Sequence, residues 1–144
     1  MIKNVWIFNL IFIILAITLF AYNSPKRNLL FKNSGEYIFY TNKNGSDADF
    51  TFVKSSPLKV KKSLSSYTGE CVKLNYDKEF LTEILSIYNA KLVKTEIVDN
   101  VKSAYYYTKK IPFYQLIGGL KVNLHVAIDS NTLYISSPLI YSGY

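Results

Sequence analysis

His125 is the single histidine of this 144-residue chain and Cys71 its single cysteine. General-base and thiol chemistry therefore rest on one residue each. A catalytic histidine needs an orienting carboxylate and a nucleophile within reach, and no serine or cysteine motif accompanies His125. Strand alternation from Lys121 to Ile128 points Val122, Leu124, Val126 and Ile128 inward. His125 then shares the opposite face with Asn123 and Ala127, which predicts a solvent-facing or edge side chain. Cys71 follows Gly69-Glu70 at the start of a strand and reads as a small buried thiol; without a second cysteine it forms no internal disulfide. Glu36, Glu70, Glu83 and Glu96 would support glycoside hydrolysis only if two of them met across a sugar, and nothing in their spacing brings them together. Asn42, Asn44, Asp47 and Asp49 make an oxygen-rich loop, yet the closing glutamate of a calcium loop is missing. No histidine–cysteine cluster offers a zinc site, and Gly118-Gly119 is too short to cradle phosphate and reads as a turn. These residues predict no catalytic group, no metal and no cofactor.

Binding is better represented. Lys54, Lys59, Lys61 and Lys62 form the densest basic cluster in a chain of formal net charge +7. An outward-facing cluster of this kind attracts anionic lipid, anionic wall polymer or nucleic-acid phosphate; its bland alternative is a solvated lysine face. Tyr105, Tyr106 and Tyr107 stand in one strand, with Tyr105 and Tyr107 on one face and Tyr106 on the other. Exposed aromatic rings stack on sugars or bases, whereas on a small sheet they more often pack a core. The candidate binding residues are Lys59, Lys61, Lys62, Tyr105 and Tyr107.

The elements that must position these residues follow from patterning. Glu36 to Tyr40 and Asp49 to Lys54, with Asn42-Lys43-Asn44-Gly45-Ser46 between them, predict a β-hairpin. Pro57 ends that run, and Leu58 to Tyr67 fits either a strand or a helix. Glu70 to Tyr76 alternates as a strand, with Val72, Leu74 and Tyr76 on one side. A helix follows: Asp77 caps it, Glu79 suits its dipole, Phe80, Leu81, Ile84, Leu85 and Tyr88 recur on one face, and Asn89 ends it. Lys91 to Val98 and Val101 to Thr108 flank an Asp99-Asn100 turn. Lys109 to Gly119 is a long connection, and Asp129-Ser130-Asn131 turns Lys121–Ile128 into a strand at Leu133 to Ser136. This order predicts an α+β fold, one antiparallel sheet with a packed helix.

An N-terminal segment precedes that domain. Val5 to Tyr22 runs for 18 residues without a charge, which as a helix is about 27 Å, close to the thickness of a bilayer core. The expected organisation is a transmembrane signal-anchor or signal peptide at 1–22, a tether at 23–34 and a single domain at 35–144. Leu29, Leu30 and Phe31 either pack on the domain or rest at the membrane. Ala21 lacks a small residue two places before it, so an uncleaved anchor is favoured over a cleaved signal that would release a secreted domain. Lys26, Arg27 and Lys32 count against export by the positive-inside rule, but long domains translocate largely regardless of charge. The expected placement is single-pass, with the domain facing outward.

Gly69-Glu70-Cys71, the Tyr105-Tyr106-Tyr107 run, the strand Val122-Asn123-Leu124-His125-Val126-Ala127 and the ending Pro138-Leu139-Ile140-Tyr141-Ser142-Gly143-Tyr144 resemble the YwmB-like proteins, exported proteins of spore-forming Gram-positive bacteria. The resemblance spans Gly69 to Tyr144. It implies a TATA-box-binding-protein-like shape, with a helix against a curved antiparallel sheet, and supplies no catalytic residues. The expected function is a non-enzymatic, membrane-tethered domain that binds an anionic envelope polymer or a partner protein. A nucleic-acid-binding module and a cell-wall enzyme are the alternatives, and nucleic acid ranks low because an exported domain meets no genomic DNA.

Overall fold

Runs rich in Tyr, Phe, Val and Ile build nine strands, and the computed structural model describes them within residues 9–18, 28–41 and 49–144. Residues 9–18 form helix α1. Then come β1 (Glu36–Tyr40), β2 (Phe50–Val53), α2 (Pro57–Ser63), β3 (Gly69–Asn75) and α3 (Lys78–Ile87). The rest is β4 (Lys91–Val98), β5 (Val101–Tyr107), β6 (Gln115–Ile117), β7 (Leu120–Val122), β8 (Leu124–Asp129) and β9 (Thr132–Ser137). Seven strands form one sheet in the order β2-β1-β3-β9-β8-β5-β4, and β6 and β7 pair separately. Every pairing is antiparallel. The α+β architecture expected from the order of elements is the one observed.

Local chemistry explains the joints. The Asp77 carboxylate accepts from the Phe80 N–H and caps α3, satisfying a backbone donor that has no partner within the helix. Asn89 ends the helix region at φ 47°, and Asp99 and Asn100, at φ 50° and 69°, make the tight turn between β4 and β5. Left-handed backbone of this kind is tolerated best by asparagine, aspartate and glycine. Of the stretch from Leu58 to Tyr67 that patterning left open, the part up to Ser63 is helical and Leu64 to Tyr67 is neither helix nor strand. The long connection after β5 contains a strand that alternation did not reveal: β6 folds back on β7 through Gly118-Gly119, at φ 56° and 80°. The run from Lys121 to Ile128 is accordingly two strands broken at Asn123. The Asn123 side chain accepts from the Thr108 N–H at 2.8 Å and donates to the carbonyls of Thr108 at 2.7 Å and Ile111 at 3.0 Å. It thereby ties the β6–β7 excursion to the end of β5.

Both faces of the large sheet are covered. On the first, Tyr37, Phe39, Val72, Leu124, Val126, Leu133 and Ile135 are buried together with Phe31 and Ile84. Phe80, Leu81 and Leu85 of α3, Tyr88 at its C-terminal cap, Val60 of α2 and Leu29 and Leu30 pack against them. Leu29 to Phe31 therefore pack on the domain, and Phe31 is completely buried. On the second face, Ile38, Tyr40, Cys71, Val101, Ala127 and Tyr134 are covered by Ile140 and Tyr141. Residues 138–144 cross this face. The Tyr141 N–H donates to the Tyr40 hydroxyl at 3.3 Å, and the rings of Tyr40 and Tyr141 meet edge to face at 5.1 Å.

The second layer lies very close to β3. A Cβ built on Gly69 would stand 2.2 Å from the Ser137 carbonyl oxygen and 2.9 Å from Pro138 Cδ. Gly69→Ala is expected to lower stability by about 1–3 kcal/mol, the range for forcing a methyl group into packed surroundings. An unchanged urea midpoint in the full chain would contradict this placement of Pro138.

Candidate functional site

The lysine cluster separates because α2 is a helix. An extended chain, with period 2, would group Lys59 with Lys61; a helix, with period 3.6, turns them to opposite sides and groups Lys59 with Lys62. Lys59 and Lys62 are exposed. Lys61 instead shares the inward side with Val60 and Leu64 and has no exposed surface. Its expected role as an outward-facing binding residue is overturned by this burial.

Lys61 Nζ lies 2.5 Å from Glu70 Oε2, with both side chains fully buried. The same ammonium donates to the Asn28 carbonyl at 2.6 Å and sits 4.4 Å from the centre of the Tyr67 ring. Glu70 accepts from the Tyr67 hydroxyl at 3.0 Å and from the Leu30 N–H at 2.5 Å. Around this pair, the Tyr88 hydroxyl donates to the Leu30 carbonyl at 2.8 Å, and the Tyr37 hydroxyl donates to the Phe31 carbonyl and accepts from the Asn33 N–H at 2.8 Å. Residues 28–33 are thus clasped through their backbone by a lysine, a glutamate and two tyrosines. Burial pulls the Lys61 ammonium below its ordinary value, and Glu70 opposes that shift. Burial, reinforced by the Glu70 charge, raises the hydroxyls of Tyr67 and Tyr88, the latter to about 12. The tyrosines therefore stay neutral donors.

Glu70 was legible as an anomaly. By alternation it shares the face of Val72 and Leu74, and a carboxylate among core residues requires a buried partner. Nothing in the sequence pointed to Lys61 as that partner, because the two meet only through the turn that follows α2.

His125 is also corrected. It is 3% exposed, because residues 138–144 cover the face that alternation assigned to solvent. Its ring stacks on Tyr105, with centroids 4.3 Å apart and planes 23° from parallel, as expected for directly opposed residues of β5 and β8. Nδ1 accepts from the Ile140 N–H at 3.2 Å, so Nε2 carries the proton and is buried without a partner among the described residues. Burial lowers the imidazole pKa to about 4, with Glu96 opposing. Tyr105 is buried, and its hydroxyl donates to Glu96 Oε1 at 2.5 Å. The Tyr105 ring is thus occupied by His125 rather than open to a ligand. Tyr107 is half-buried and lines a cavity of about 310 Å³ with Tyr88, Asn89, Lys91, Thr108, Lys109 and Lys110.

The five sequence-predicted binding residues therefore do not form one site. Lys59 and Lys62 share the outer side of α2, Lys61 belongs to the clasp, and Tyr105 and Tyr107 lie on β5. Cys71 is the buried thiol expected of it, raised by burial to about 12. The oxygen-rich loop lies outside the described residues except for Asp49, which is exposed. Among the described residues no three histidine, cysteine or carboxylate side chains gather as metal ligands. Two larger openings remain. One, of about 910 Å³, lies between Asn33–Glu36 and the start of α3; the other, of about 570 Å³, lies between Leu81 of α3 and the outer strands β4 and β5.

No family model, curated protein or solved structure matches the chain, so the likeness to the YwmB-like proteins gains no support from these comparisons.

Two outcomes are expected. Glu70→Leu strands a buried ammonium and should cost about 3–5 kcal/mol, whereas adding Lys61→Met should recover most of that loss. A double-mutant cycle by chemical denaturation reads the difference; additive losses would mean that the pair is not coupled. For His125, the unfolded chain binds a proton near pH 6.5 and the folded chain only near 4. The stabilisation carried by the neutral ring is complete above about pH 6.5 and falls by about 3 kcal/mol as the pH drops to 4. Replacing His125 with Gln should remove that part of the slope, and identical pH–stability curves for the two proteins would refute it.

Proposed function

We propose that this chain is a membrane-tethered, non-enzymatic domain that faces outward and works by binding an anionic envelope component. Helix α1 is the observation that carries the reading. Leu10, Ile11, Phe12, Ile13, Ile14, Leu15 and Ile17 are each more than half exposed. Side chains in such a run point to every side of a helix, so no single packing face accounts for them. Each such residue left fully in water forgoes about 1.5–3 kcal/mol of transfer free energy, and lipid is the medium that recovers it on all sides at once. Among the described residues no helix is long and apolar enough to cross a membrane. The expected 18-residue span runs past α1 at both ends, outside the described residues.

The clasp supports the same reading. It grips the chain at Asn28, six residues after Tyr22. The domain is then held within roughly 20 Å of the end of the apolar run, given about 3.5 Å per extended residue. Lys59 and Lys62 are exposed on the helix whose Lys61 holds that segment, and an anionic surface contributes about 1 kcal/mol per lysine. A nucleic-acid reading draws on the same lysines and ranks lower because an exported domain meets no genomic DNA. A wall-hydrolase reading would use Glu70 or Glu96, and both carboxylates are already engaged.

The test is topology joined to binding. Fusions after Tyr144 should be active for a reporter that works only outside the membrane and silent for one that works only inside. The protein should resist alkaline extraction and lose that resistance without residues 1–22. Full chain in neutral nanodiscs should bind poly(glycerol phosphate) in a salt-sensitive manner, several-fold more weakly with Lys59→Ala/Lys62→Ala. An inside-active fusion or an alkali-extractable full chain would reject the tethered, outward-facing reading.

A further inference from the structure

Strand β4 ends the seven-stranded sheet, and among the described residues its outer edge pairs with no other strand. An unpaired edge is a template for another chain, and this one carries exposed apolar side chains: Leu92 at 58%, Ile97 at 69% and Val98 at 59%. The apolar opening of about 570 Å³, lined by Leu81, Ile97, Ala104, Tyr106 and Ile128 among others, adjoins the same edge.

The edge is complementary to itself. Leu92-Val93-Lys94-Thr95-Glu96-Ile97-Val98 reads, by chemical type, as two apolar residues, a cation, threonine, an anion and two apolar residues. A second copy approaching antiparallel across a twofold axis at Thr95 would set Lys94 opposite the second copy's Glu96, and Glu96 opposite its Lys94. Ile97 would face the second copy's Val93. Moving the axis to Lys94 opposes two ammonium groups, and moving it to Glu96 opposes two carboxylates. Opposite charges on directly facing residues favour a pairing and like charges oppose it, so this charge order selects one register. Edge lysines commonly keep strands apart; here a glutamate two residues along turns the same lysine into a self-recognition element.

The chemistry at the edge is available for exchange. Lys94 and Glu96 form an exposed pair at 2.8 Å within the strand, with 50% and 33% of their side chains exposed. Glu96 Oε1 stays with Tyr105, so Oε2 can pass from its own lysine to the second copy's. The irregularity between Leu92 and Lys94 in the β4–β5 pairing limits the matched stretch to the residues around Thr95.

We infer that β4 is a homodimer interface, joining two copies of this chain edge to edge through an antiparallel β4–β4 pair centred on Thr95. The inference does not depend on membrane attachment or on the ligand.

Because an apolar anchor can itself bring copies together, the experiment must be specific to the edge. Full-length protein in detergent carries Thr95→Cys and is treated with a short bis-maleimide; Cys71 is fully buried and contributes little background. Phe52→Cys, exposed on the opposite edge strand β2, reports association that does not use β4. Thr95→Cys should cross-link about tenfold faster than Phe52→Cys, since directly facing residues lie about 5 Å apart. In the Thr95→Cys background, Lys94→Glu or Glu96→Lys alone should slow cross-linking about tenfold, and the double reversal should restore it, because each single change opposes like charges. Equal rates at positions 95 and 52 would overturn the inference. So would a double reversal as slow as the singles, or a monomer at every concentration by sedimentation. Circular dichroism of each variant confirms that the strands remain.

Discussion

A lysine and a glutamate with no exposed surface hold residues 28–33 against the sheet, and the rest of the molecule is arranged around that contact. Two charges removed from water carry a desolvation penalty that their mutual attraction repays only when the remaining donors and acceptors are also satisfied. Here they are: the ammonium reaches the Asn28 carbonyl and the Tyr67 ring, and the carboxylate reaches the Tyr67 hydroxyl and the Leu30 N–H. The pair serves position more than stability. Leu29, Leu30 and Phe31 can then close the first sheet face beside α3, and the chain leaves the domain at a defined place.

The second face depends on a different device. A single layer of strands with α3 on one side would leave Tyr40, Cys71, Ala127, His125 and Tyr134 facing water. Residues 138–144 cover them, and the close approach of Gly69 to Ser137 and Pro138 lets that segment lie flat. His125 and Tyr105 become a stacked, buried pair as a result. The neutral imidazole packs beneath that segment, with Nδ1 accepting from the Ile140 N–H.

Beyond the openings beside α3, the sheet presents its edges and ends. Lys59 and Lys62 are exposed on the helix whose Lys61 grips Asn28. The β4 edge, at the other end of the sheet from β2, presents alternating charge between apolar pairs.

Period and turn chemistry alone established much of this. The Asp77-capped helix, the Asp99-Asn100 turn, the β1–β2 hairpin and the α+β class all follow from local patterns that report which side of an element is apolar. The apolar run at 5–22 was equally plain. Tertiary structure decided what those sides face. Alternation assigns His125 to the face opposite Leu124, but only the folding-over of residues 138–144 makes that face an interior. Glu70 stands out on a core face by parity, whereas its partner lysine depends on α2 being helical and on the turn that returns it to β3. The limit is physical: a local period records burial relative to a segment's own axis, and contacts between residues distant along the chain exist only after the sheet has assembled.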